Sequence, residues 1–191
     1  MHVVVMGVSG TGKTSVGEEL AEELGCEFIE GDSLHPRRNI EKMERGIPLT
    51  DEDRWPWLQA IAELVAVRDL KGTSTVVTCS ALKRKYRDIL RDAAPTFFVH
   101  LDAPFEVLQA RMQRRTKHFM RTGYALRSLW QLKRGLSRGD ETADYWQAGK
   151  SVASIEAELP AADVVRSFAD AARASVATVG PLPASGNTVR R

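Results

Sequence analysis

Val3-Val4-Val5-Met6-Gly7-Val8-Ser9-Gly10-Thr11-Gly12-Lys13-Thr14 is the stretch on which the reading of this chain turns. A short apolar run passes at once into G-x-x-x-x-G-K-[ST]. Val16, Leu20 and Leu24 then recur on one helical face. Strand, glycine-rich turn and helix, in that order, are the context in which this spacing binds a polyphosphate. The glycines let the backbone aim several N–H groups at one anion, and the helix N-terminus adds a favourable dipole. Lys13 reaches the β- and γ-phosphates as a point charge, and the Thr14 hydroxyl is a Mg²⁺ ligand. Gly7, Ser9, Gly10, Thr11, Gly12, Lys13, Thr14 and Ser15 are therefore the expected ATP site.

Outward from this segment, strands and helices alternate. Glu27 to Glu30 reads as a second strand ending in Gly31-Asp32, with Gly25 fitting the C-cap of the helix before it. An irregular or helical stretch from His35 closes at Gly46. A helix then begins at a cap on Thr50 or Asp53, and Pro56, comfortable only in a first turn, favours the later cap. Thr73 to Thr78 is β-branched at nearly every position, as suits a strand covered on both faces. A helix over 82–92, a strand over Phe97 to Leu101, a helix from Pro104, a last strand over Val152 to Ile155 and a closing amphipathic helix complete the pattern. The expectation is an α/β, three-layer P-loop NTPase fold: a parallel five-stranded sheet with helices on both faces. Residues 1–179 form one domain, and 180–191, with two prolines and small polar residues, read as a disordered tail.

Composition narrows the function. In 191 residues the chain has 43% hydrophobic and 27% charged residues and a net charge of +2, too small to argue for nucleic acid by itself. No apolar run approaches the ~20 residues that span a bilayer, and the first residues do not form a secretory signal. Cys26 and Cys79 are not spaced for a metal, which leaves two reduced thiols in a cytoplasmic protein. Charge is uneven, however: Arg111 to Arg138 holds nine lysines and arginines and no acid, which marks a place near anionic groups.

Ligands of a parallel sheet bind beyond the carboxyl ends of its strands, so the P-loop, Gly31-Asp32 and Cys79-Ser80 should face one crevice. The strand ending Thr78-Cys79-Ser80 has no terminal Asp, and Glu30 and Asp32 on the neighbouring strand are the replacement carboxylates on the Mg²⁺ side. No stretch matches the base-recognition loops of a GTPase, and the length leaves no room for a coupling domain. A small-molecule kinase follows. Asp32 is the expected base and substrate-orienting carboxylate, since phosphoryl transfer needs a group to accept the hydroxyl proton.

Gly31-Asp32-Ser33-Leu34-His35-Pro36, Asn39-Ile40-Glu41-Lys42-Met43, Gly46-Ile47-Pro48-Leu49, Asp51 to Leu58 and Cys79-Ser80-Ala81-Leu82-Lys83, together with the P-loop, resemble the P-loop gluconokinases, relatives of shikimate kinase. Tyr86-Arg87-Asp88 and His118-Phe119-Met120 extend the likeness, which covers roughly residues 2 to 122. It implies ATP- and Mg²⁺-dependent phosphorylation of D-gluconate to 6-phosphogluconate. It also implies an acceptor wall containing Asp32, His35, Arg38, Arg54, Cys79, Ser80, Lys83 and His118, where the arginine fork suits a carboxylate. Metal ligation falls to Thr14, Glu30 and Asp32. Arg111 resembles the adenine-stacking arginine, and a mobile lid over roughly 114–150 carries Arg115, Lys117 and Arg121, any of which could supply the transition-state cation, Arg121 being the residue taken for that role. Homodimers are common among relatives. After Met120 the chain departs from the family pattern, reading Leu126-Arg127-Ser128-Leu129-Trp130-Gln131, and Gly139 to Lys150 looks like an insertion. A polyol, cyclitol or amino-sugar acid is the alternative acceptor. A polynucleotide 5′-kinase using the basic stretch, and a slow ATP-hydrolysing regulator, are the other readings.

Overall fold

β-Branched residues decide the centre of the molecule. Val3, Val4 and Val5 lie in strand β1 (His2–Met6), and Thr75, Val76, Val77 and Thr78 make up β3 (Thr75–Thr78); every residue of both is buried. In the structure, a computed structural model, residues 1–113 are described, together with Arg166 and Asp170. β2 (Glu27–Glu30) and β4 (Thr96–His100) complete a four-stranded sheet of order β2-β3-β1-β4 among the described residues, all pairs parallel. The expected fifth strand at 152–155, the closing helix, the lid and the tail lie outside the described residues.

Alternation along β1 divides the core in two. Val4 and Met6 pack with Trp57, Leu58, Ile61, Val65, Tyr86 and Leu90 from α3 (Asp51–Leu70) and α4 (Arg84–Ala93). Val3 and Val5 pack on the other face with Val16, Leu20 and Ala21 of α1 (Lys13–Leu24). Helices thus cover both faces, the arrangement that a β-branched, two-sided apolar strand demands. α5 (Phe105–Gln113) adds Leu108 and Met112 against Val8. Among the described residues no helix is long and apolar enough to cross a membrane.

The register brings the functional segments to one edge. Val5 pairs with Thr78, and Thr78 with Glu30, so the chain leaves β1, β2 and β3 at nearly one level. After β2 comes a 3₁₀ turn, Gly31–Leu34, and then α2 (Arg37–Glu44).

The cap of α3 corrects the sequence expectation. Thr50, not Asp53, is the N-cap: its hydroxyl accepts from the Asp53 N–H at 3.3 Å, and the Asp53 carboxylate accepts from the Thr50 N–H at 2.9 Å. This reciprocal capping box satisfies two orphan donors, and Lys42 Nζ at 2.7 Å from Asp53 Oδ1 anchors it to α2. Pro56 is consequently inside the helix. It forgoes one hydrogen bond, to the carbonyl of the exposed Glu52, where water can substitute.

Candidate active site

Gly12 starts the site. It is the N-cap of α1 at φ +94°, a left-handed conformation that residues with side chains rarely adopt, and it has no side-chain cap of its own. A Cβ at Gly12 would meet nothing within 4 Å, so open space lies in front of the helix's first N–H groups. The loop curls around the carbonyl of Val8, which accepts from the Thr11 N–H at 3.4 Å, the Thr11 hydroxyl at 2.9 Å and Lys13 Nζ at 3.2 Å. The Gly7 N–H donates to the Ser80 carbonyl at 3.4 Å, tying the loop to the end of β3. No acidic residue occupies the first turn of α1. This is an anion cradle.

Glu30 stands beside it. The Thr14 hydroxyl donates to Glu30 Oε2 at 2.7 Å, and the Thr78 hydroxyl donates to Glu30 Oε1. A hydroxyl and a carboxylate are hard oxygen donors, and no group of three or more His, Cys, Asp or Glu side chains suited to a metal occurs among the described residues. A donor set this sparse fits Mg²⁺, which takes one or two protein oxygens and fills its shell with phosphate and water. One residue further, Gly31 is pressed against β3: its N–H donates to the Thr78 hydroxyl at 3.1 Å, and its carbonyl accepts from Trp57 Nε1 at 2.7 Å. These contacts fix the point at which Asp32 leaves the sheet.

Lys13, Asp32, His35, Arg54, Ser80 and Lys83 line a single cavity, with Met43, Leu49 and Tyr86 supplying much of its apolar surface. His35 is buried and stacks on Trp57, ring centroids 4.1 Å apart and planes at 16°. Burial, reinforced by the nearby charge of Arg54, pushes its pKa down to about 4, so the ring is neutral near pH 7. Opposite, Asp51 gathers cations: Lys83 Nζ donates to its Oδ1 at 2.8 Å, Lys85 to its Oδ2, and Arg54 Nη1 lies 3.8 Å away. The Tyr86 hydroxyl also donates to Asp51. Burial opposes ionisation of Asp51, but these hydrogen bonds hold its carboxyl well below the usual carboxylate range. Burial and the Asp51 contact together push the Tyr86 phenol up to about 12. The cavity wall thus carries two fixed cations, Arg54 and Lys83, oriented by one buried-edge carboxylate.

The segment presenting Ser80, Leu82 and Lys83 is held from behind. Arg87 is buried, and its Nη1 donates to the carbonyls of Ala81 at 3.0 Å and Leu82 at 2.9 Å. Ala81 sits at φ +38°, an unusual conformation for a residue with a Cβ. Burial lowers the Arg87 pKa from its ordinary value, yet a guanidinium remains charged.

Two sequence expectations change here. Cys79 does not line the cavity: it is fully buried in the α3/α4 face of the core, and burial pushes its thiol up to about 12. Arg38 is exposed on α2 and does not line the cavity either. In the first case the extended chain turns Cys79 inward and Ser80 outward; in the second, α2 presents Asn39 and Met43, not Arg38, to the interior. Arg111 is exposed and donates from Nη1 to the Gly10 carbonyl at 3.2 Å. Arg115, Lys117, His118 and Arg121 lie outside the described residues. Asp51, Tyr86, Trp57 and Asn39 had no assigned role from sequence. Sequence offered no signal for the pairing of Asn39 with His35, because His35 is extended and lies before α2, where helical spacing does not apply.

An anion cradle beyond the carboxyl end of the first strand of a parallel sheet, facing a cavity with a carboxylate and two cations, defines a P-loop kinase of the small-molecule class. A family profile described as an AAA domain matches residues 3–135. The chain is 49% identical over 118 residues to the thermosensitive gluconokinase of Escherichia coli, covering 61% of this chain and 63% of that protein. It is 54% identical over 119 residues to the gluconokinase of Gluconobacter oxydans, covering 62% and 67%. The chain therefore matches about two thirds of the length of these curated relatives. The crystal structure of a gluconokinase from Sinorhizobium meliloti superposes with a TM-score of 0.66 at 41% identity, covering 94% of this chain and 97% of that one. The chain belongs to the gluconokinase family.

Proposed function

We propose that the protein transfers the γ-phosphoryl group of ATP to a hydroxyl of D-gluconate, giving 6-phosphogluconate. The observation that carries this reading is one cavity bounded by Lys13 on the phosphate side, Asp32 at the strand end and the Arg54–Lys83 pair on the far wall. A sugar acid needs all three: a phosphate donor at one end, a proton acceptor at the reacting hydroxyl, and cations at its carboxylate. Arg54 and Lys83 bind and orient that carboxylate, with Asp51 holding both side chains in place. Asp32 orients the hydroxyl and takes its proton as the new O–P bond forms and the bond to the β–γ bridging oxygen breaks. Lys13 and the N–H groups of the loop carry the charge on the β- and γ-phosphates. Thr14 and Glu30, with Asp32 alongside, are the residues that would hold Mg²⁺, which when bound neutralises phosphate charge. Arg111 and Arg115 belong with the nucleotide, His118 with the acceptor and Arg121 with the transferring phosphate in this reading. Unpaired Cys26 and Cys79 suit a reducing cytoplasm.

The departure from the family pattern after Met120 favours one competitor, a different polyol, cyclitol or amino-sugar acid in the same cavity. Incubating the protein with Mg·ATP and a panel of aldonates, polyols, cyclitols, shikimate and 5′-hydroxyl oligonucleotides, then measuring ADP, separates them. Gluconate is expected to raise ADP release far above buffer. Asp32→Asn is expected to lower kcat by roughly 10²–10⁴-fold, with nucleotide affinity nearly intact. Gluconate performing no better than buffer overturns the substrate; normal turnover in Asp32→Asn overturns the base.

A further inference from the structure

We propose that Asn39 is a positioning residue that fixes His35 as its Nε2–H tautomer, so that the acceptor cavity meets a neutral hydrogen-bond donor at that wall. Asn39 is completely buried in the first turn of α2, four residues after His35, which sits in extended chain just before that helix. Its Nδ2 lies 2.7 Å from the Asp53 carbonyl oxygen and 3.3 Å from His35 Nδ1. The first contact settles which way the amide points. A carbonyl only accepts, so the atom facing it must be the NH₂; reversing the amide would put two oxygens 2.7 Å apart. The same NH₂ then has one hydrogen left, and it faces His35 Nδ1. An amide nitrogen has no lone pair to offer, so Nδ1 must be the acceptor. In a neutral imidazole the proton therefore resides on Nε2.

The ring's other freedoms are removed by different groups. Stacking on Trp57 fixes the plane of His35 but is indifferent to a half-turn that exchanges the two edges of the ring. Asn39 breaks that symmetry. The arrangement leaves a cost, since Asn39 Oδ1 is buried with no partner among the described residues. An amide held with its oxygen unsatisfied is the opposite of what packing alone would select, and this points to the NH₂ as the functional end. The support runs deeper: the Asp53 carbonyl belongs to the residue that Thr50 and Lys42 clamp in the capping box of α3. A helix cap, a buried amide and a cavity wall form one relay.

Lys13, Arg54 and Lys83 are the cations of this cavity and Asp32 its carboxylate, so a neutral N–H donor among them is suited to an uncharged oxygen. We therefore assign His35 to a hydroxyl of the acceptor, with Arg54 and Lys83 left to the carboxylate. This assignment rests on the cavity being the acceptor site, as proposed above. The tautomer itself does not.

The test is the long-range ¹⁵N–¹H correlation spectrum of the full-length protein, with His35 assigned through His35→Gln. Expected is the pattern of a neutral Nε2–H ring at pH 7.5; an Nδ1–H ring overturns the proposal. Asn39→Asp replaces the donor by an acceptor and is expected to move the proton to Nδ1 or to charge the ring; an unchanged pattern overturns it too. The kinetic arm is independent of Asn39 and of its folding. His35→Gln, whose amide nitrogen falls near the Nε2 position, is expected to hold the acceptor KM within about threefold. His35→Asn, which falls near Nδ1, is expected to raise it about tenfold, with the ATP KM unmoved in both. Equal acceptor KM values in the two variants would remove the donor role. If gluconate is inactive while the Nε2–H pattern is present, the substrate reading fails and this inference stands. If gluconate is turned over and Nδ1 carries the proton, the reverse holds.

Discussion

At Gly31 a single missing atom sets where Asp32, the proposed base, leaves the sheet. A Cβ built there would lie 1.9 Å from the Thr78 carbonyl oxygen and 3.1 Å from its carbon, both backbone, so the clash has no side chain to absorb it. Gly31→Ala must push β2 away from β3 or swing Asp32 out of line. The expected result is a loss of roughly 1–3 kcal/mol in urea unfolding together with a large fall in kcat. Unchanged stability with wild-type turnover would show that the strands have room to part. The sequence places Gly31-Asp32 correctly at a strand end, because a short apolar-to-acidic run followed by glycine reads locally. It does not say why glycine is required, because the crowding atom is 47 residues away and depends on the β2–β3 register. Cys79 and Ser80 teach a related lesson. Both belong to one motif, yet they are adjacent in extended chain and so face opposite ways. The neighbouring strand pattern, Val77 inward to the α3 face and Cys79 with it, contains the answer once alternation is carried one residue past the strand.

The third helix shows an element-scale rule overruled by a stronger one. Pro56 argues for a cap at Asp53, since proline is at ease only in a first turn, but three acidic residues in succession and a Thr-x-x-Asp box favour the earlier start. The lost hydrogen bond falls on the carbonyl of an exposed residue, whereas the box satisfies two donors and is tied to α2 by Lys42. Local pattern reading gives the proline too much weight here, and the contact that reinforces the box, Lys42 to Asp53, is tertiary. Elsewhere the elements were legible: the boundaries of β1, β2 and α1 follow directly from apolar periodicity and from Gly25 in its left-handed C-cap. Thr50→Ala removes the capping hydroxyl and is expected to cost about 1 kcal/mol in chemical denaturation, with Thr50→Ser close to wild type. Equal losses in Ala and Ser variants would mean that the β-methyl, not the hydroxyl, carries the effect.

For the molecule as a whole, burial of the described imidazoles, His2, His35 and His100, on the α3/α4 side of the sheet sets the response to acid. Burial lowers the pKa of His35 most, from 6.5 to about 4, with the Arg54 charge adding to it. His2, buried and hydrogen-bonded to Thr75 at 2.8 Å, and His100 at the end of β4 are lowered in the same direction, each chiefly by desolvation. A group whose pKa is lower folded than unfolded binds fewer protons in the native state. As pH falls through 6.5, the unfolded chain gains protons that the folded one declines, and stability drops until the folded pKa is reached. His35 alone then accounts for roughly 2 kcal/mol at pH 5 and about 3 kcal/mol by pH 4. Asp51 adds nothing to this window, because the stability held by its depressed carboxyl is lost only as pH passes below its ordinary 3.8. Melting temperature is therefore expected to be level from pH 8 to 7 and to fall continuously between pH 6.5 and 4.5. His35→Gln, which cannot take up the proton, should show a visibly shallower fall over the same window. A melting temperature that is flat from pH 7 to 5 in the wild type, or a slope that His35→Gln leaves unchanged, would mean that the ring is protonated inside the fold. In that event its stack on Trp57 would have to tolerate a charge beside Arg54.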